Sequence, residues 1–134
     1  MFGRDGETWD LLVEKGLEFL IEQARLERTT TYTELNAVLA RRTGLREFDF
    51  SRQDERAAMG HLLGLIVEKN LPEVGFMISA LVQYLDVNDA GPGFYHLATE
   101  KELLPHRASR NVKTDFWVSQ VSAAYRRYGR APRP

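Results

Sequence analysis

The chain has 134 residues and a formal net charge of −1, with 43% hydrophobic and 28% charged residues. This length and balance are typical of one folded domain and exclude a disordered chain. The absence of cysteine excludes disulfide bonds, a thiol nucleophile and any site in which cysteine binds zinc or an iron–sulfur cluster. The first ten residues lack the apolar core of a signal peptide. No apolar run approaches the roughly 20 residues of a membrane span, so we expect a cytoplasmic protein that does not contact a membrane.

Charge is distributed unevenly along the chain. Residues 61–104 contain six acids and two bases, whereas residues 105–134 contain one acid and seven bases. Arginine outnumbers lysine by fourteen to four, and its planar guanidinium binds phosphates, base edges and carboxylates. A basic end on a nearly neutral protein indicates a polyanionic partner, DNA or RNA.

Helical periodicity dominates the first half of the chain. Apolar residues recur at three- and four-residue steps between about Glu7 and Leu26, which predicts a first helix with one apolar face that includes Leu17 and Leu20. Thr31 and Glu34 have capping-box spacing and predict the start of a second helix, which Gly44 ends.

A third helix is predicted over residues 52–70, with Ser51 as its N-cap. Asn70 and the following Pro72 are expected to end it, because proline disfavours a helical residue before it. Gly60 and Gly64 lie one turn apart, and we expect them to allow the close approach of another element.

The pattern then changes to strand formers and turn residues. Residues 75–85 predict a strand, residues 86–93 a long turn, and residues 94–98 the return strand of a β-hairpin. A short helix is expected over residues 100–104, and a final helix from about Lys113 to Tyr128.

The predicted fold is therefore α+β and mostly helical: a winged-helix-like core of three helices and a β-hairpin, followed by a C-terminal helix. Residues 1–128 form a single winged-helix-like domain in this interpretation, and residues 129–134 form a flexible basic tail. In a winged helix the third helix enters the major groove of DNA, and residues near its N-terminus reach base edges. Here those residues are Arg52, Gln53 and Arg56. The alternative is that the arginines pair with the neighbouring Asp54 and Glu55.

The basic C-terminal region supplies the second group of candidate nucleic-acid-binding residues, with Tyr125 and Tyr128 between them. These are Arg107, Arg110, Lys113, Arg126, Arg127 and Arg130. Basic side chains can contact phosphates, and aromatic side chains can stack on nucleobases, so the combination suits nucleic-acid binding. The alternative is that Arg126 and Arg127 complement the helix dipole or pair with the acidic first helix.

Four short segments resemble, in their order, the winged-helix-like domain of DNA alkyltransferases and alkyltransferase-like proteins. They are Tyr32–Leu35, Gly60–Gly64, Ser79–Val82 and Gly91–Phe94, within about residues 29–98. The resemblance implies a shared helical scaffold. The family's Pro-Cys-His-Arg motif and its tryptophan-substituted form are absent, so alkyl transfer is not implied. Residues 75–94 also resemble a segment of small bacterial proteins, which implies no activity.

No catalytic motif or cofactor site is recognisable in the sequence. The histidines His61, His96 and His106 lack metal-ligand spacing, and we expect His61 and His96 to be partly buried. We expect no cofactor, no metal and a non-enzymatic nucleic-acid-binding module, such as a regulator or an accessory protein of a defence system or mobile element. The alternative is a protein-interaction or assembly module, either a homo-oligomer or a subunit bound to another protein, which makes no nucleic-acid contact.

Overall fold

The computed structural model describes residues 1–83 and 89–129, and within them the chain is mostly helical, as predicted. These described residues form five α-helices and a sheet of two very short strands. The elements are α1 (Gly6–Arg25), β1 (Thr30–Thr31), α2 (Tyr32–Thr43), α3 (Gln53–Val74), a 3₁₀ helix (Ile78–Leu81), β2 (Val82–Gln83), α4 (Pro92–Glu100) and α5 (Arg110–Tyr128).

Helix α1 confirms the first predicted helix and packs against both α2 and α3. Asp5 caps it by accepting a hydrogen bond of 2.8 Å from the Thr8 N–H. Its apolar face is buried as expected at Leu20, but Leu17 is only half-buried. Leu17 packs against the core on one side and lines a shallow groove on the other.

The predicted start and end of α2 are both confirmed. The Thr31 side chain accepts a hydrogen bond of 3.1 Å from the Glu34 N–H, and Gly44 ends the helix with a φ of 72°. The following loop is held back against α2 because Asn36 bonds both the N–H and the carbonyl of Phe48. This contact buries Phe48 in the core.

Helix α3 differs from the prediction at both ends. Arg52, and not Ser51, occupies the N-cap position, where it makes no side-chain capping bond. The helix continues through Pro72 and ends at Gly75, which has a φ of 79°. The last turn persists because Val74 packs against the core, and this burial offsets the backbone bond that proline cannot make.

The glycines of α3 do not provide the close approach that we expected from them. A Cβ atom added at Gly60 or at Gly64 would meet no atom within 4 Å. The close contact is instead at Gly16 of α1, where a Cβ would lie 2.8 Å from Ile66 Cδ1 of α3. Gly16 is therefore the point where the α1 backbone lies close to the Ile66 side chain of α3.

The predicted pairing of residues 75–85 with residues 94–98 is wrong, because residues 94–98 are helical, but one isolated antiparallel bridge joins Gln83 and Ala90. Strand β2 pairs in parallel with β1, in the register Thr30 with Val82 and Thr31 with Gln83. Residues 76–81, which precede it, are all buried, including the polar Ser79. Residues 84–88, which belong to the predicted strand and turn, lie outside the described residues.

The predicted return strand is part of α4. Pro92 occupies the first turn of this helix, a position that tolerates a missing N–H. Phe94 and Ala98, four residues apart, are the buried residues of α4. The helix ends at Glu100, so the short helix predicted over residues 100–104 is wrong as well. A five-residue segment rich in apolar residues satisfies strand and helix patterns equally, and here packing decides for the helix.

Helix α5 begins three residues before the predicted start, because Ser109 caps it. Its buried residues are Trp117 and Ala124, and Trp117 Nε1 donates a hydrogen bond of 2.9 Å to the Ala80 carbonyl. One part of the core lies between α1, α2 and α3. The second part joins the 3₁₀ helix, α4 and the first half of α5.

Candidate nucleic-acid interface

The predicted base-reading residues lie at the exposed N-terminal end of α3, but two of them are already engaged. Arg52 binds Asp54 through two hydrogen bonds, of 3.1 and 2.7 Å. Arg56 Nη1 donates a hydrogen bond of 2.7 Å to the Phe50 carbonyl. Gln53 is exposed on the first turn. The pairing of Arg52 with Asp54 agrees with the alternative we raised for these arginines.

Glu55 does not face solvent but anchors a buried ionic cluster. Its carboxylate accepts hydrogen bonds of 2.9 and 3.2 Å from Arg4, of 2.6 Å from Arg46, and of 3.2 Å from the Asp49 N–H. The Arg4 guanidinium also lies 4.1 Å from the centre of the Phe48 ring. The hydrogen bonds from Arg4 are the main reason why the pKa of Glu55 falls to about 2.

This cluster was not foreseen from the sequence. Arg4 and Glu55 are 51 residues apart, and no local pattern links them. The cluster ties the N-terminal segment to the loop before α3, and its carboxylate oxygens are already used by these donors. We assign it a structural role in holding the N-terminal end of α3.

The first three cations of the C-terminal region lie together around the N-terminal end of α5. Arg107 and Arg110 are exposed, and the Lys113 ammonium lies 5.8 Å from the centre of the Tyr95 ring. Burial and a hydrogen bond to Asp89 raise the pKa of Tyr95, so its hydroxyl stays protonated and donates to that carboxylate. Asp89 is therefore directed at Tyr95.

Arg126 and Arg127 lie in the last turn of α5, about 20 Å along the helix axis from Lys113 at 1.5 Å per residue. Both are exposed, and the Arg127 guanidinium lies 6.0 Å from the centre of the Tyr128 ring. At the negative end of the helix dipole both cations are stabilised, as the alternative proposed. Arg130 lies outside the described residues.

The two predicted groups of basic residues do not form one continuous face between α3 and the C-terminal end of α5. Asn70 Nδ2 donates a hydrogen bond of 3.2 Å to the Tyr128 hydroxyl, which places that end of α5 beside residue 70 of α3. Gln53 lies seventeen residues earlier on the same helix, about 25 Å away along its axis. The α3 residues and the last turn of α5 therefore belong to opposite ends of the molecule.

The two groups of basic residues also differ in whether they are paired with carboxylates. Within residues 1–83 and 89–129, none of the five cations of the α5 region lies within salt-bridge distance of a carboxylate. The five are Arg107, Arg110, Lys113, Arg126 and Arg127. By contrast, Arg42 bridges Glu18 and Glu22, and Arg52 pairs with Asp54. The α5 cations are thus available to an external anion.

A shallow groove of about 320 Å³ runs along α1 and reaches Lys69 of α3. Its apolar surface is formed by Leu17 and Ile21, both half-buried. Two of its acidic residues, Glu18 and Glu22, are already bridged by Arg42.

The histidines serve packing and surface contacts. His61 is half-buried between the rings of Phe2 and Trp9, as expected. His96, in contrast, is exposed on the outward side of α4. Its Nε2 atom lies 2.9 Å from Oε1 of Glu100, one turn later on the same helix. Among the described residues, no three potential metal ligands come together in a site.

Comparison with protein-family models, with curated proteins and with solved structures finds no match to this chain. In the described part of the chain, no helix combines the length and apolar character needed to cross a bilayer.

Proposed function

We propose that the protein is a nucleic-acid-binding module that binds through α5. The observation that carries this proposal is the set of five cations around α5, none of which is paired with a carboxylate of the described residues. A single acid, Asp115, accompanies them between residues 107 and 128. Nucleic acids are polyanions whose phosphates such a surface attracts.

The position of three of these cations supports the proposal further. Arg107 precedes α5, and Arg110 and Lys113 lie in its first turn, at the positive end of the helix dipole, where acidic residues are normally favoured. The first turn of α5 contains no acid. Cations at this end destabilise the free protein slightly, and a bound phosphate would relieve the repulsion by contacting both the cations and the free N–H groups.

The winged-helix-like interpretation made α3 the helix that contacts DNA. Arg52 is bound to Asp54, and Arg56 is bound to the Phe50 carbonyl. Both contacts would have to break before either arginine could reach a base. The cations of α5 need no such rearrangement, so they support the same function better.

A salt titration of nucleic-acid binding tests this proposal. Fluorescence anisotropy with labelled duplex and single-stranded oligonucleotides should show affinity that falls steeply with salt, with a log–log slope of about −0.9 per duplex phosphate neutralised. The variant that combines Arg107→Ala, Arg110→Ala and Lys113→Ala should reduce this slope by about two to three.

The matched control removes the same charge from other helices. It combines Arg25→Ala, Arg41→Ala and Lys69→Ala, which are exposed residues of α1, α2 and α3. We expect its salt slope to stay within about half a unit of the wild type. Equal losses in the two variants would show that only net charge matters. The absence of wild-type binding at about 50 mM salt would reject the proposal, and a defined oligomer in light scattering would then support the assembly alternative.

A further inference from the structure

We infer that α5 is the helix that enters the major groove of duplex DNA, with its two basic ends on the phosphates and its outward face on the bases. This inference rests on the proposed function and specifies both the ligand and the element that reads it.

The outward face of α5 lies opposite the side that packs on the core. Trp117 and Ala124 mark the buried side. The residues opposite them recur at three- and four-residue steps, and all are exposed or half-buried. They are Asn111, Asp115, Ser119 and Ser122, and Arg126 follows them in the basic last turn, which is placed on the phosphates.

The dimensions of α5 suit this arrangement. Its 19 residues extend about 28 Å, and Arg110 and Arg126 are about 24 Å apart along its axis. A major groove about 12 Å wide admits one α-helix. Cations at both ends of the helix then lie near the backbones that border the groove, while the centre of the helix carries a single charge, Asp115.

The side chains of the outward face have the chemistry that base edges require. Asparagine binds adenine through two hydrogen bonds, serine bonds to several bases, and a carboxylate accepts from the amino group of cytosine. Val112 and Val118 flank the face and are 44% and 50% exposed, so they offer apolar contact to a thymine methyl group.

Two other ligands fit this face less well. Single strands are bound by exposed aromatic platforms, whereas every aromatic side chain of α5 is buried or half-buried. Protein interfaces depend on large anchors such as tryptophan, tyrosine and arginine packed at their centre. The centre of this face consists of Asp115, Ser119 and Ser122, with a valine on either side, so duplex DNA is the ligand that matches it.

Selection from a random duplex library, followed by anisotropy with the selected site, tests the inference. Asn111→Ala and Ser119→Ala should each relax the preference at one base position, with about a 5- to 150-fold loss of discrimination against the wrong base. Gln53→Ala at the N-terminal end of α3 is the matched control and should leave preference unchanged. Combining Arg126→Ala with Arg127→Ala should lower the salt slope by about one to two and leave preference unchanged.

The outcomes separate this inference from the proposed function. If the protein binds nucleic acid but prefers single strands, shows no preference among duplexes, or loses preference on Gln53→Ala and not on Asn111→Ala, then the role of α5 as the reading helix is overturned. The proposed function survives each of those results. The absence of nucleic-acid binding by the wild-type protein rejects both the inference and the proposed function.

Discussion

Arg4 and Glu55 form a buried, two-bonded ion pair that fastens the N-terminal segment to the first turn of α3. The bonds are 2.9 and 3.2 Å long, and both side chains are almost fully buried. Arg46, in the loop before α3, forms a second ion pair with the Glu55 carboxylate. Because a buried carboxylate without its partner is strongly disfavoured, this pair should be among the most sensitive positions in the protein.

Arg4→Ala should lower the free energy of unfolding by about 3–5 kcal/mol, because it leaves the Glu55 carboxylate buried with fewer donors. Urea denaturation followed by circular dichroism measures the change. Lys101→Ala is the control, since Lys101 pairs with a largely exposed Glu68. It should cost no more than about 1 kcal/mol. Similar losses in the two variants would contradict the structural role of the pair.

Acid should destabilise the protein in part through Glu55. The pKa of Glu55 falls from 4.5 to about 2 in the folded state. A depressed pKa contributes stability that is fully present above the unfolded value and is lost as the pH falls from about 4.5 towards 2. At about 1.4 kcal/mol per pKa unit, the contribution is about 3 kcal/mol. Unfolding measured across this range should therefore show a steeper pH dependence in the wild type than in Glu55→Gln, and parallel curves would contradict the assignment.

The glycines of α1 and α3 should respond to alanine in opposite ways. Gly60→Ala adds a methyl group in open space and should stabilise the protein by about 0.5–1 kcal/mol through helix propensity. Gly16→Ala places its Cβ 2.8 Å from Ile66 Cδ1, so overpacking of about 1–3 kcal/mol should cancel or exceed the same gain. Adding Ile66→Val removes the clashing atom, and thermal melts should show partial recovery relative to Gly16→Ala.

Replacing either of two leucines of α1 with alanine should lower the free energy of unfolding, and the loss should be larger for the more buried leucine. Leu20→Ala should cost about 2–5 kcal/mol, because Leu20 is fully buried and its removal leaves a cavity. Leu17→Ala should cost about 1 kcal/mol, because the half-buried side chain loses less apolar area. Denaturation midpoints of the two variants provide the comparison. A larger effect at Leu17 would mean that a partner covers the α1 groove under the conditions of measurement.

The helices with strong periodicity and caps were determined by the sequence itself. Thr31 and Gly44 bound α2 as predicted, and the apolar face of α1 buries Leu20. These features depend on side chains within one or two turns of each other, and such local interactions act wherever the segment lies. The basic character of the C-terminal region is equally a property of the sequence.

Only the tertiary structure decided the conformation of the short segments and the grouping of the charges. Residues 94–98 became helical because Phe94 and Ala98 bury the same side of α4. Strand β2 pairs with β1 at Thr30, and Glu55 forms an ion pair with Arg4. Each contact joins residues about fifty positions apart in the sequence. Among the described residues, the fold places no carboxylate within salt-bridge distance of the α5 cations. These outcomes depend on which distant parts of the chain pack together in the core. A short apolar segment or a single charged residue does not by itself specify the distant residue that it will contact.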